Sequence, residues 1–300
     1  MNKLLVICGP TATGKTQFAI KLAKKFNGEI ISADSRQVYI GMDIATGKDR
    51  RMYGDVPVHM IDVVDPRENF SVAQYSVLAN KAIEDIWNSG KLPILVGGTG
   101  LYIKAIVDGI ETSIVPPDEK LRKDYANKGA SELFHILNKI NPQKANSMNE
   151  SDRKNPRRLI RAIEISNWKE EGKDENRKID VIMIGLTAPR EILYQLIDAR
   201  VDKRMSEGMV GEVDQLLGNG VSHKRMQSFG LEYRLIDNYL TGKITEDILV
   251  ETLKYKIHDF ARRQLTWFKK DKRINWSNIE SSDWAENVEK KVRAWYNDAV

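Results

Sequence analysis

The sequence predicts an α/β fold: a P-loop-type parallel sheet core with helices on both faces, plus a helical insertion domain. Three observations carry that prediction. Gly9–Thr16 is a phosphate-loop signature set between a strand pattern and a helix pattern. Short apolar runs alternate with helical periodicity through the first third of the chain, the pattern of parallel strands joined by crossover helices. Between Pro116 and Lys178 the pattern changes to polar helical segments without a convincing strand. At 300 residues, 41% of them hydrophobic, the chain can bury a sizeable core and carry a second small domain.

Taken in order, Lys3–Cys8 is an apolar run ending in glycine, and Phe18, Ala19, Leu22, Ala23 and Phe26 mark one face of a helix from about Lys15 to Phe26. Glu29–Ala33, Val56–Val63, Pro93–Val96 and Val181–Leu186 read as further strands. Val72, Tyr75, Ala79, Ala82, Ile83 and Ile86 give a helix over Phe70–Ser89, stopped by Gly90. The helical segment, bounded by the prolines at 116–117 and the charged run KEEGKDENRK at 169–178, leaves the sheet and returns to it at Val181. We therefore expect a catalytic core of residues 1–115 and 180–300, helical in its C-terminal part, and an insertion of residues 116–179. After Thr187 the pattern is helical nearly throughout, with stops at Gly208, Gly218/Gly220 and Gly242.

Composition narrows the class. One cysteine, Cys8, allows no internal disulfide, fits a reducing cytosol and reads as a small buried hydrophobe. No window approaches a membrane span, and the first residues run into the glycine motif without a cleavage site, so a cytoplasmic, soluble protein is expected. A net charge of +5 is too small to diagnose nucleic-acid binding without knowing where the charges lie. The histidines at 59, 135, 223 and 258 are scattered and suggest no metal cluster.

Gly9-Pro10-Thr11-Ala12-Thr13-Gly14-Lys15-Thr16 fits G-x-x-x-x-G-K-[ST] without mismatch. Glycines there let backbone N–H groups approach phosphate oxygens, Lys15 supplies a point charge, and the Thr16 hydroxyl can ligate Mg²⁺. The loop suits a nucleoside triphosphate or a diphosphate leaving group. A Walker B aspartate is not obvious, Asp62 being the nearest candidate. Asp34 follows the second strand, and in a parallel sheet the C-terminal strand ends converge beside the phosphate loop. An Asp-Ser pair there is otherwise a helix cap. Gly97–Gly100 stands at another strand tip, where it could equally be a plain strand-to-helix turn.

Two basic stretches stand out. Arg153, Lys154, Arg157, Arg158 and Arg161 are dense, and at helical spacing 154, 158 and 161 share a face, which reads either as a solvated face or as a phosphate-binding surface. In Lys254–Arg273, lysines and arginines are interleaved with aromatics. Phe260 and Trp267, at helical spacing, are expected to pack, leaving the basic residues for phosphate contacts.

GPTATGKT, EIISADSRQVYIGMDIATGKD, HMIDVVDP, PILVGGTGLYIKA, NPRRLIRAIEI and FARRQLTWF occur in this order. Together they resemble the bacterial tRNA dimethylallyltransferase family from Lys3 to about Lys272. The resemblance implies a prenyltransferase that takes dimethylallyl diphosphate and Mg²⁺ and modifies N6 of the adenosine 3′ to the anticodon in tRNAs reading U-initial codons. It implies that Asp34 is the general base, that Gly9–Thr16 cradles the diphosphate with Lys15 and Thr16 acting on the leaving group, and that Arg200 works near it. Asp34, Ser35, Arg36, Gln37, Thr99, Arg122 and the run Arg157, Arg158, Leu159, Ile160, Arg161 would touch tRNA. The protein is expected to act as a monomer. The chain departs from the family's usual pattern at Ala45–Asp49, Glu150–Asp152 and Ser228–Glu232. A small-metabolite kinase would share the cradle and Mg²⁺, a prenyltransferase of free adenine nucleotides would share the core, and a non-catalytic tRNA binder would need neither the loop nor Asp34.

Overall fold

The computed structural model describes residues 2–109, 115, 118–168 and 179–298. Its described residues fall into two compact units, Met1–Asp108 with Lys178–Val300, and Gly109–Arg177. The prolines at 116–117 and the charged run at 169–178 lie outside the described residues.

The larger unit is built on six parallel strands: β1 Lys3–Cys8, β2 Gly28–Ser32, β3 Val58–His59, β4 Leu92–Val96, β5 Asp180–Thr187 and β6 Ile274–Asn278. Their order across the sheet is β3-β2-β4-β1-β5-β6. Because strand side chains alternate faces, β1 sends Leu4, Val6 and Cys8 to one side and Leu5 and Ile7 to the other. Helices cover both sides. Helices α1 (Lys15–Lys25) and α14 (Trp284–Asn297) pack on the Leu5–Ile7 face through Phe18, Leu22, Val288 and Val292. Helices α2 (Val72–Asn88), α3 (Gly100–Val107), α9 (Arg190–Ser206), α10 (Met209–Gly218), α11 (His223–Phe229), α12 (Leu231–Leu240) and α13 (Glu246–Phe268) contribute to the opposite core. Strands flanked by apolar layers on both faces explain why β1 and β4 read as continuous apolar runs rather than alternating ones.

The chain leaves β1 toward β2 on one side, and its neighbour on the other side is β5. The loop after β1 therefore sits where strand order reverses, the place where open α/β sheets bind ligands. Two strand expectations change. Val56–Val63 shrinks to a two-residue β3, since Met60 and Asp62 adopt positive φ and bend the chain away. Strand β6, by contrast, was hidden in a stretch read as helical: INWSN is short and polar because it lies at the sheet edge, with β5 as its partner. No helix among the described residues is long and apolar enough to cross a membrane.

The smaller unit is helical: α4 (Glu119–Tyr125), α5 (Ala130–Ile140), α6 (Pro142–Ser147), α7 (Glu150–Arg153) and α8 (Pro156–Asn167). It has its own apolar core of Leu133, Leu137, Ala145, Leu159, Ala162 and Ile163. Asn149 and Asn155 cap α7 and α8, and Pro156 begins α8, so a break at Lys154–Asn155 separates the two helices.

Candidate active site

The loop Gly9–Thr16 joins β1 to α1 in a conformation that its sequence permits. Gly9 lies at φ +132°, and a Cβ there would come 2.3 Å from the Leu186 carbonyl oxygen, so only glycine lets the loop pass this close to β5. Gly14 precedes the helix in a left-handed conformation and offers no side-chain cap, which leaves the first N–H groups of α1 without an internal partner. The Thr13 hydroxyl donates to the Pro10 carbonyl at 3.0 Å and stiffens the loop. The Lys15 ammonium donates to the same carbonyl at 2.5 Å. Burial and the nearby Arg200 charge push its pKa down to about 8. The Thr16 hydroxyl is half-buried and engages no described residue.

Three neighbouring segments complete the site. Asp34, at the tip of β2, accepts a hydrogen bond from the Arg36 N–H at 2.8 Å. That is an Asx turn, and no helix follows, so the helix-cap alternative for Asp34-Ser35 falls away. The Ser35 N–H donates to the Thr99 hydroxyl at 3.1 Å, tying the β2 tip to the β4 tip. From α9, Arg200 donates through Nη1 to the Thr11 hydroxyl at 2.9 Å. Burial and the adjacent Arg204 charge push the Arg200 pKa down to about 9, with Asp34 pulling the other way. Such a guanidinium is short of counter-charge and is set to receive an anion. Thr11, Asp34, Ser35, Arg36, Thr99 and Arg200 all line one cavity of about 520 Å³.

Four features of this cavity escaped the sequence reading. Gln264, buried on α13, accepts from the Thr11 N–H at 2.9 Å and donates to the Gly98 carbonyl at 2.9 Å, joining the phosphate loop to the β4 tip. A signal for it existed: Gln264 is a polar residue in the buried stripe Leu253, Ile257, Ala261, Phe268. Arg204, one helical turn beyond Arg200, donates to the Ala45 carbonyl at 2.8 Å while its Nη2 is buried without a partner. Gly47, at φ +68°, lies under both guanidinium groups; an added Cβ would stand 2.0 Å from Nη2 of Arg204 and 2.5 Å from Nη2 of Arg200. In addition to Asp34 and Asp259, Glu232 brings a further carboxyl to the cavity, raised above its ordinary value by burial with Arg204 opposing.

Other expectations need correction. Gln37 is buried and committed: its amide oxygen accepts from the Ser32 hydroxyl at 2.8 Å, so its side chain braces the loop rather than facing a nucleic acid. Phe260 and Trp267 are exposed by 41% and 46%, because the face of α13 that packs runs through Leu253, Ile257, Ala261, Gln264 and Phe268. Phe260 lines the cavity. Asp62 is held by Lys48 and Arg50, which occupies the carboxylate otherwise available to a Walker B role. Cys8 is fully buried, and burial pushes its thiol up to about 12, which fits the packing role expected of it.

In the helical unit the basic cluster divides. Leu159 has no exposed surface and belongs to the core, so its side chain cannot contact tRNA. Lys154 sits in the break between α7 and α8, and does not share a helix face with Arg158 and Arg161. Arg158 pairs with Asp152. Arg122 and Arg161 donate to Glu164 at 2.7 and 2.8 Å, and Arg161 also reaches the Val115 carbonyl at 2.6 Å. Burial alone would raise the Glu164 carboxyl, but these two arginines hold it below its ordinary value. Arg157 is exposed and without a partner among the described residues. With Arg122, Lys154, Asn155 and Ile160 it borders an open groove of about 1230 Å³.

Among the described residues no group of three or more His, Cys, Asp and Glu side chains could hold a metal ion.

Comparison with known proteins adds a lineage to this geometry. The sequence matches the family described as IPP transferase over residues 37–271, and that described as isopentenyl transferase over residues 2–56. It is 40% identical over 278 residues to tRNA dimethylallyltransferase 1 of Geotalea uraniireducens, covering 91% of each chain. It is 43% identical over 284 residues to tRNA dimethylallyltransferase 2 of Treponema denticola, covering 91% of this chain and 94% of the relative. The structure superposes with a TM-score of 0.74 on the tRNA isopentenylpyrophosphate transferase of Bacillus halodurans, 36% identical, with 99% and 98% of the two chains covered. A eukaryotic dimethylallyltransferase acting on tRNA gives a TM-score of 0.80 at 26% identity, covering 98% of this chain and 78% of that one. With sequence matches spanning the phosphate loop, the strand tips and α13, the chain belongs to the IPP transferase family.

Proposed function

We propose that the chain transfers a dimethylallyl group from dimethylallyl diphosphate to N6 of the adenosine 3′-adjacent to the anticodon in tRNAs reading U-initial codons. The observation that carries this reading is the single cavity in which Asp34 and Arg200 meet beside the phosphate loop. It joins a proton acceptor to an anion receptor, the two functions that allylic substitution by an amine requires.

In the transfer, the N6–C1 bond forms as the C1–O bond to diphosphate breaks. Negative charge grows on the departing oxygen, where Lys15, Arg200 and the first N–H groups of α1 stabilise it. Lys15 exchanges the Pro10 carbonyl for a diphosphate oxygen, and Arg200 gains the counter-charge that its surroundings lack. Thr16 would hold Mg²⁺ through its hydroxyl, and the cation would supply further stabilisation of the charge on the leaving group. The N6 proton passes to the Asp34 carboxylate, and general-base help of this kind is worth about 10² to 10⁴ in rate.

To reach this cavity the adenine must leave its stack, at a cost of a few kcal/mol that is least in a single-stranded loop. Phosphate contacts offset that cost. Arg36 and Ser35 beside Asp34, and Arg157 with the rim of the helical unit's groove, are suited to make them. A tRNA substrate also makes the cytoplasm the working compartment.

Labelled dimethylallyl diphosphate offered with unmodified tRNA, with AMP and with buffer tests this reading, with nucleoside mass spectrometry of the product. Prenylated adenosine in tRNA alone is the expected result. Label on AMP would point to a free-nucleotide prenyltransferase, and ATP consumed in step with turnover would point to a kinase.

A further inference from the structure

We infer that Glu212 is a positioning residue for the transfer, acting from outside the cavity through residues 43–45 on Arg204 and Arg200. The inference rests on the function proposed above. Glu212 projects from α10, and its carboxylate accepts from three consecutive backbone N–H groups: Asp43 at 2.7 Å and Ile44 on one oxygen, Ala45 at 3.2 Å on the other. The oxygen that serves Ala45 also accepts from the Tyr233 hydroxyl at 3.0 Å. Four donors saturate a carboxylate, and bonds to an ionised acceptor are roughly twice as strong as neutral ones.

The two segments gathered by this carboxylate both line the cavity. Ala45 and Thr46 belong to one, Glu232 and Tyr233 to the other. Beyond Glu212 the contacts continue to the chemistry. The Ala45 carbonyl accepts from Arg204, the Gly47 backbone fills the space beneath Arg204 and Arg200, and Arg200 reaches Thr11 of the phosphate loop. Each step is a short polar or van der Waals contact, so displacement of residues 43–45 moves Arg200 relative to the leaving diphosphate. Misplacing a catalytic group by about 1 Å can cost on the order of 10²-fold in rate. Tyr233, whose hydroxyl is kept protonated by burial and by Glu212, remains a donor throughout the working pH range.

The test uses the full chain in four forms: wild type, Glu212→Ala, Arg200→Ala and the double variant, with Glu212→Gln and Tyr233→Phe as milder changes. Glu212→Ala is expected to lower kcat/KM for the prenyl donor by about 10²-fold while KM for tRNA stays within about threefold. Because Glu212 acts through Arg200, the double variant should be no worse than Arg200→Ala alone within about threefold; additive losses would overturn the inference. Glu212→Gln can still offer its oxygen to the Asp43 and Ile44 amides and should recover most of the rate. Amide hydrogen exchange at residues 43–45 should quicken in Glu212→Ala and not in Glu212→Gln. If Glu212→Ala fails to fold, Tyr233→Phe decides, because it removes one of the four donors that fix the carboxylate, and a wild-type donor kcat/KM in that variant would sink the idea. Binding of inorganic diphosphate with Mg²⁺, followed by calorimetry, separates this inference from the function. Should wild type transfer nothing to tRNA, the functional reading fails. Weakened diphosphate binding by Glu212→Ala, to the level of Arg200→Ala, would still support the positioning role.

Discussion

At the scale of single residues, the site is a balance of buried charge. Lys15 and Arg200 are both held below their ordinary pKa values by burial, to which the Arg200 charge adds at Lys15 and the Arg204 charge at Arg200, and a diphosphate would relieve both. Lys15 is protonated below about pH 8 in the free protein and loses its charge above it. We therefore expect kcat/KM for the donor, which reports the free enzyme, to fall as pH rises through about 8. The bound diphosphate raises the Lys15 pKa, so kcat should lack this limb. A Lys15→Arg variant should move the limb upward in a pH–rate series, and an unmoved limb would assign it to another group. Asp34 makes a different demand. Asp34→Asn keeps size and most hydrogen-bonding shape but removes the proton acceptor, and should slow single-turnover transfer by about 10² to 10⁴ with little change in affinity for either substrate. Full rescue by added Mg²⁺ would mean instead that Asp34 positions the cation.

At the scale of elements, loops at the strand tips are shaped by close approach rather than by burying apolar surface. Gly47 shows this most clearly, since positive φ and two guanidinium groups leave no room for a side chain. Gly47→Ala should cost about 1–2 kcal/mol in stability from its left-handed backbone alone. Its effect on donor kcat/KM should be larger than that, because Arg204 and Arg200 must shift. Thermal melting beside steady-state kinetics checks this, and equal proportional losses would make Gly47 a folding residue only. The long helix α13 carries a comparable device, with Gln264 in its buried face tying two loops together. A Gln264→Leu change fits the apolar stripe but leaves the Thr11 N–H and the Gly98 carbonyl without their partner. We expect near-normal melting with a raised donor KM, and a normal KM would mean that water replaces the amide.

At the scale of the whole molecule, the phosphate loop, Asp34 and Arg200 all lie in the larger unit, and tRNA affinity is proposed to draw on basic side chains of both. The ion pairs reduce what the basic cluster can contribute. Arg158, Arg161 and Arg122 answer carboxylates within their own unit, while Arg157 is exposed and unpaired among the described residues. Neutralising Arg157 should make the slope of log affinity against log salt shallower by about one, since one phosphate contact releases roughly one counterion. Neutralising Arg158 should change it by less, because its charge is already partly answered. An unchanged slope for both would make the cluster a solvated face.

The sequence by itself determined the parallel α/β class, the strands β1, β2, β4 and β5 to within a residue at each end, and the setting of the phosphate loop. Each of these is local: an apolar run, a helical period, a glycine pattern. Its motifs also sufficed to name the family that the comparisons then showed. Only the tertiary structure revealed what depends on partners distant along the chain. The edge strand β6 has a polar sequence that makes sense only beside β5. Arg122 looks like Arg157 in sequence, and differs because Glu164, in another helix of its unit, answers it. Gln264 and Glu212 act through backbone groups more than 150 residues away. No periodicity records such contacts, because a backbone amide carries no residue identity and any sequence can offer one.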